Sequence, residues 1–313
     1  MVRATRFLEV EAQDLAALFA ACSNAGRWGP DDELGTLNLI TPATRRRAAR
    51  LVTEGLSVSM ASDLSVQHTP STDSLTSHTA FTDPAAPIAV ADAITLQVHG
   101  WSTHLDALGH IYTDEVGYNA RRRAEIFTSH GLSANAITAL KDGVFTRGVL
   151  LDVAASYGLP WLPADHAITR TELEHAEHTA GVPVEAGDAL FVHAGLATRL
   201  ATTPDDPGDD PDHDDTGHRA GLGIDAVLWL RERDVAVFGG DCVELLPGPD
   251  PDLPLPLHQL GIGAMGLTLL DWPHLERVLA TCMQLQRHEF LFTVAPLPIV
   301  GGTGSPVNPI ATF

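Results

Sequence analysis

Four short apolar runs constrain the fold more than any other feature of this chain. They are "RGVLLDVA", "DALFVHAG", "VAVFGGD" and "EFLFTVAPL". Each is too short for a buried helix and is rich in Val, Leu and Phe, with turn signals close by. Each therefore predicts a strand, the first two of them buried. The stretches between them carry apolar residues at helical spacing: "TRTELEHAEHTAG", "GIDAVLWLRERD" and "PHLERVLATCMQLQRH". In the first of these, Thr171 and Glu174 stand in a capping-box relation and Gly181 lies near the expected end. Strands alternating with helices point to an α/β domain.

The first 56 residues read as an N-terminal helical extension. "EAQDLAALFAACS" has helical periodicity, and "TPATRRRAARLVTEG" has Thr41 as N-cap, Pro42 in first position and Gly55 as its end. From Ser57 to Gln97 the texture predicts strands joined by long loops. Residues 203–219 read as an acidic surface loop within the low-complexity stretch "TTPDDPGDDPDHDDTGHRAG", whose carboxylates repel one another. The tail "PIVGGTGSPVNP" predicts irregular backbone. No repeat and no linker divides the chain, so residues 1–313 read as one domain.

The net charge of −21 disfavours nucleic acid and anionic membrane surfaces as partners. A small-molecule substrate is the partner that remains. The three cysteines, Cys22, Cys242 and Cys282, are far apart and have no CxxC spacing, which argues against a disulfide framework or a zinc ribbon. No secretory h-region and no apolar run of membrane-spanning length is visible, so a cytoplasmic location is expected.

Chemistry concentrates in "VHGWSTHLDALGH", Val98 to His110, which holds three of the fifteen histidines together with Asp106. His104 and Asp106 are two apart, so in extended backbone they point to the same side. An imidazole and a carboxylate converging there suit a divalent cation such as Zn²⁺ or Mn²⁺. A bent loop could bring in His99. If "DALGH" turns helical, His110 sits one turn above Asp106, placed for general base or acid work. The alternative is a polar loop that happens to be rich in histidine. Burial of Asp106 without a cation or strong donors would cost several kcal/mol, and that favours the metal reading.

Other residues carry two readings each. Trp101 is a pocket wall or a buried anchor. Tyr118 and Asn119 line a substrate pocket or form an ordinary turn. His193 stands on a strand and reads as a hydrogen-bonded core histidine. Asp241 and Glu244 are candidate partners for ligand histidines. Cys242 is a poor nucleophile, with no basic neighbour in sequence.

"THLDALGH" resembles the core signature of the cyclase-like metal-dependent hydrolases, His-x-Gly-Thr-His-x-Asp-x-x-x-His. That family includes bacterial kynurenine formamidase and isatin hydrolase. "GRWGPDDELGTLNLITP", "GYNARR", "VEAGDALFVHAG", "LPLHQLGIGAMGLTLLD" and "PLPIVGGTGSPVNPIA" extend the resemblance from Arg27 to Ile310. It implies a swivelling β/β/α cyclase-like fold, here with extra N-terminal helices, and a homodimer or homotetramer. It further implies that His104 and Asp106 are metal ligands, that His110 is the catalytic proton shuttle, and that His258 and a later carboxylate complete the site. Asp271 is the nearest candidate for that carboxylate, although it could equally be the N-cap of the helix after it.

Two departures from the family pattern stand out. Gly100 occupies the position of the first motif histidine, with His99 offset by one. The distal carboxylate is Asp rather than Glu. One metal is therefore expected rather than two. The resulting expectation is a metal-dependent hydrolase that opens a small amide, imide, lactone or carbamate. The alternatives are a cyclase or lyase acting on a natural-product intermediate, with or without metal, and a non-catalytic binding protein that keeps the fold.

Overall fold

The computed structural model describes residues 12–64, 77–86, 88–100, 102–202, 218–242 and 244–313. Helices α1 (Ala12–Cys22) and α2 (Pro42–Ala49) precede strand β1 (Ser57–Ser59), a hairpin of β2 (Ser77–Thr82) and β3 (Val90–Thr95), and the short β4 (His104–Asp106). The middle of the chain gives α3 (Arg123–Ile126), β5 (Phe127–Thr128), β6 (Gly131–Leu132), β7 (Val144–Asp152), α4 (Val153–Ser156), β8 (Ala167–Ile168), α5 (Arg170–Ala180) and β9 (Ala189–His193). Then follow α6 (Leu196–Thr202), β10 (Gly221–Leu222), α7 (Ile224–Glu232), β11 (Val237–Gly240), a π-helical segment (His258–Met265) and β12 (Thr268–Asp271). The chain closes with α8 (Glu276–Leu285), β13 (Glu289–Val294), β14 (Gly304–Pro306) and β15 (Ile310–Thr312).

Nine of these strands make one sheet, in the order β1-β15-β13-β7-β9-β11-β12-β4-β14. At its centre β7, β9, β11 and β12 run parallel, and the neighbours on both flanks pair antiparallel. The four apolar runs of the sequence are β7, β9, β11 and β13. Alternate residues of each central strand feed opposite cores, as a period of two requires. Val149, Leu151, Leu190 and Val192 pack with Leu173 of α5 and Trp229 of α7. Leu150, Ala189 and Phe191 pack on the other face with Val278 and Cys282 of α8 and with Phe290 and Phe292. Both faces are covered, which is why the middles of these runs are mostly apolar.

The carboxyl ends of the four parallel strands lie on one edge. Asp152 pairs with His193, Val192 with Gly240, Gly240 with Asp271, and Asp271 with His104 of antiparallel β4. The sheet thus presents Asp152, His193, Asp241 and Asp271 in a row, at the end of an α/β sheet where ligands gather.

Several expectations are corrected at this level. The capping box on α5 is formed by Thr169 and Glu172, not by Thr171 and Glu174. Both pairs fit the motif, but Glu174 instead accepts from Arg170 Nε at 2.9 Å. Thr41 does cap α2 through Thr44 N–H, but that helix ends at Ala49, short of Gly55. The tail "PIVGGTGSPVNP" is not irregular throughout, since β14 joins the main sheet. Most of the acidic stretch, residues 203–217, lies outside the described residues, and so does Trp101. Among the described residues no helix is long and apolar enough to cross a membrane.

Candidate metal and proton-transfer site

Strand β4 is three residues long and fully buried, held between β12 and β14. Its alternation puts Leu105 in the core and turns His104 and Asp106 to the same side, as the spacing predicts. His104 is 2% exposed and Asp106 1%. After the strand the chain makes a tight turn rather than a helix, closed by His110 N–H to the Ala107 carbonyl at 3.0 Å. That turn swings His110 back over the strand.

His104 Nδ1 donates to the Ser102 carbonyl at 2.7 Å, because a carbonyl only accepts. In the neutral ring Nε2 is then a bare lone pair. It stands 3.5 Å from Asp106 Oδ1 and 3.8 Å from Asp271 Oδ2. His258, the first residue of the π-helical segment, is arranged in the same way. Its Nδ1 meets Glu244 Oε2 at 2.5 Å, while Nε2 stands 3.4 Å from Asp271 Oδ2 and 3.7 Å from Asp106 Oδ2. Glu244 is itself fixed by the Leu257 and His258 backbone N–H groups.

His99 joins them despite its offset in sequence. Its Nε2 contacts Thr303 Oγ1 at 2.8 Å, and its Nδ1 lies 3.0 Å from Asp106 Oδ1, though not aligned for a hydrogen bond. The ring stacks flat on His110, with centroids 3.7 Å apart and planes 2° apart. Space for His99 comes from Gly304, where a Cβ would stand 2.8 Å from His99 Cε1. Thr303 and Gly304, in the tail expected to be irregular, are the members of the site that sequence reasoning missed. No spacing rule links them to a loop two hundred residues away.

Asp271 is the last residue of β12 and not a helix cap, because α8 begins only at Glu276 and follows Leu275. The ligand reading of Asp271 therefore fits its position, and the cap reading fails.

Neither oxygen of Asp106 has a hydrogen-bond donor, and both are buried; Asp271 Oδ1 is in the same state. Burial alone would raise the Asp106 carboxyl, but His99, His110, His104 and His258 together hold it below the ordinary carboxylate value. Burial lowers His110, and the nearby imidazoles His99 and His258 add to that, so its pKa falls to about 4 and the ring is neutral near pH 7. His258 moves the other way. Burial would lower it, but Asp271 and Glu244 drive it well above the usual imidazole range.

This donor set fits a divalent cation. Asp106, with both oxygens undonated, and Asp271, with Oδ1 undonated, place two buried carboxylates among these imidazoles, and buried charge that lacks a full set of donors is costly. Two groups of ligand atoms lie within 4.8 Å of one another, His99–Asp106–His110 and His104–Asp106–Asp271, and Asp106 belongs to both.

The remaining expectations separate clearly. Tyr118 is 1% exposed, and its hydroxyl donates to Asp32 Oδ2 at 2.8 Å. It anchors the "GRWGPDDELG" loop and has no surface to offer a substrate. Asn119 adopts φ +60°, donates to the Gly29 and Pro30 carbonyls, and borders a cavity of about 930 Å³ together with Leu15, Phe19, Tyr112 and Gln259. None of the clustered histidines or aspartates lines that cavity. Glu244 supports a histidine as expected. Asp241 does not reach the site's histidines and accepts instead from the backbone N–H groups of Ala194, Gly195 and Leu196. Cys242 is 5% exposed, and burial drives its thiol far above the ordinary value, which removes it as a nucleophile.

Comparison with known proteins agrees with this architecture. Residues 56–245 match the family described as "Putative cyclase". A crystal structure described as a novel cyclase superposes with a TM-score of 0.81 at 30% identity, covering 93% of this chain and 99% of that one. Isatin hydrolase A from Ralstonia solanacearum superposes with a TM-score of 0.59 at 21% identity, covering 87% and 97%. Isatin hydrolase A from Labrenzia aggregata, bound to benzyl benzoate, gives 0.59 at 18% identity, covering 82% and 94%. No curated protein sequence matches.

Proposed function

Because the chain belongs to this cyclase family, we propose that the His–Asp cluster at the sheet edge is the catalytic centre of a cation-dependent hydrolase. It would open a small amide, imide, lactone or carbamate. The observation that carries this reading is Asp106, buried with both oxygens lacking donors and ringed by imidazoles.

His104, Asp106, His258 and Asp271 would hold the cation, with His99 completing the set. A bound Zn²⁺ or Mn²⁺ supplies Lewis acidity toward a carbonyl oxygen and makes water more acidic. The chain's own residues do the rest. Glu244 and the Ser102 carbonyl fix the tautomers of His258 and His104, so that both present Nε2. His110, neutral and packed against His99, takes the proton from the attacking water. It then returns that proton to the leaving nitrogen or oxygen. Burial of β4 keeps bulk water from competing for Asp106. A homo-oligomeric enzyme acting on a free small molecule belongs to the same proposal.

A second reading follows from the cyclase description of the 30% identical structure. There His110 would abstract a proton beside a carbonyl in an intramolecular ring closure. The convergence of His99 on Asp106 counts against a binding protein that has lost its site.

The deciding experiment follows acid release from isatin, an N-formyl aryl amide and an aryl lactone, with Mn²⁺ or Zn²⁺ added and then chelated. Hydrolysis of at least one, lost on chelation and restored by metal, supports the proposal. Release that chelation leaves untouched sinks it.

A further inference from the structure

Two strands along the same edge from Asp271, a second group of ligand-type side chains lies outside the site described above. His193 ends β9 and is 5% exposed. Its Nδ1 stands 3.1 Å from Asp152 Oδ1 and donates to it. Its Nε2 is buried, has no hydrogen-bond partner, and faces Asp241 Oδ2 at 3.9 Å. Glu276, at the start of α8, brings a buried Oε1 that is likewise unpartnered, while its Oε2 meets His274 Nδ1 at 3.2 Å. Ligand atoms of His193, Asp241 and Glu276 all lie within 4.8 Å of one another.

The arrangement repeats the one seen at His104 and His258. An imidazole donates backward through Nδ1 and presents Nε2 to carboxylate oxygens. We propose that His193, Asp241 and Glu276 form a second divalent-cation site, suited to a zinc- or manganese-type ion. One nitrogen and two carboxylate oxygens are a common set for such ions, and ligands about 2.0–2.2 Å from a tetrahedral centre stand roughly 3.4 Å apart. The gap between His193 Nε2 and Asp241 Oδ2 is 3.9 Å, and all three groups lie within 4.8 Å of one another, so binding an ion requires them to close toward that spacing. Asp241 is already aimed by the three backbone N–H groups that hold it, and Asp152 supplies the partner on the far side of the histidine. Arg199 and Arg219 act on the neighbouring Cys242.

The position of this site gives it a role. At a strand spacing of about 4.8 Å, His193 is roughly 10 Å from Asp271. Glu276 follows Asp271 by five residues and Asp241 precedes Glu244 by three. An ion here ties together the two connections that deliver Asp271 and Glu244 to the first site. Its function is therefore structural, and it does not depend on the hydrolase reading.

The test is the Mn²⁺ content of protein stripped with chelator, reloaded with Mn²⁺ and washed, measured alongside thermal unfolding. Wild type should hold one ion more per chain than Glu276→Gln, and that variant should lose part of the rise in Tm that Mn²⁺ gives. Asp106→Asn, with the first site disabled, should keep one ion, and adding Glu276→Gln should remove it. The stripped Glu276→Gln protein should fold normally, since it loses an uncompensated charge. If it does not fold, His193→Gln gives the same comparison. Equal ion content in wild type and these variants overturns the proposal. So does an Asp106→Asn protein that takes up no Mn²⁺, which would mean that a proton on His193, and not a metal, answers the carboxylates.

Discussion

Glu244 meets His258 through Nδ1 at 2.5 Å, and this contact turns Nε2 of the same ring onto Asp106 and Asp271. The glutamate touches no other member of the cluster through its side chain, yet it sets the tautomer and the angle of a ligand. Glu244→Gln keeps the shape and removes the charge. We expect cation affinity at the first site to fall by about 10–100-fold, the usual size of such an effect. Competition with a fluorescent chelator measures it. Wild-type affinity would mean that His258 takes no part in binding.

Gly304 permits His99 to approach Asp106. A methyl group there would meet His99 Cε1 and the Leu105 carbonyl, both at 2.8 Å. The carbonyl belongs to the buried strand β4 and cannot yield easily. Gly304→Ala should therefore cost roughly 1–3 kcal/mol, as overpacking in a tight interior does. It should also weaken the cation, because His99 must leave its place. Urea denaturation of the stripped protein and metal titration report the two effects separately. Unchanged affinity would show that His99 is not a ligand.

The sequence made the centre of this site legible and left its rim obscure, for a physical reason. A period of two fixes the shared direction of His104 and Asp106 within one short strand, so local reasoning suffices there. The runs that form β7, β9, β11 and β13 are readable because burial on both faces leaves few polar positions between their ends. Thr303 and Gly304 were not readable, because a polar tail rich in Gly and Pro looks the same whether or not a distant strand accepts it. Asp271 was ambiguous because a carboxylate before a helix serves equally as a cap; only the start of α8 at Glu276 decided the matter. His193 is buried and hydrogen-bonded, as its place on a strand predicts, but its second nitrogen faces a residue at the end of another strand, which no local pattern reveals.

Acid should loosen the loop that carries Asp32 and Glu33. Arg27 Nη1 and Nη2 grip Asp234 at 2.6 and 2.8 Å, and this hydrogen-bonded pairing is the main cause that holds the Asp234 carboxyl below its ordinary 3.8. A carboxyl lowered in the folded state stabilises it above the unfolded-state value, and the contribution disappears as pH falls through the folded-state value. The pair is partly exposed, so its worth is at most about 1 kcal/mol. Asp234→Asn should be less stable than wild type at pH 6, and the gap should close below about pH 3.8. Urea midpoints across pH 3 to 6 would show it. A gap that persists at the acid end would place the effect in packing instead.

His110 has a neutral ring near pH 7, its pKa held down to about 4 by burial. Its neighbours grip carboxylates, whereas His110 lies flat on His99 and takes its place by stacking. A ring held in this way can gain and lose a proton without dismantling the cation's ligand set. His110→Gln should thus lower turnover of whichever panel substrate is hydrolysed by about 10²–10⁴-fold, the range for a positioned acid–base group. Cation content should stay at the wild-type level. His104→Ala should behave oppositely in the metal assay, losing the ion along with the activity, because it removes a nitrogen that faces both Asp106 and Asp271. The contrast between the two variants separates moving a proton from holding a cation. Loss of the ion in His110→Gln would make this residue a ligand, and the proton shuttle would then have to be sought elsewhere on the edge.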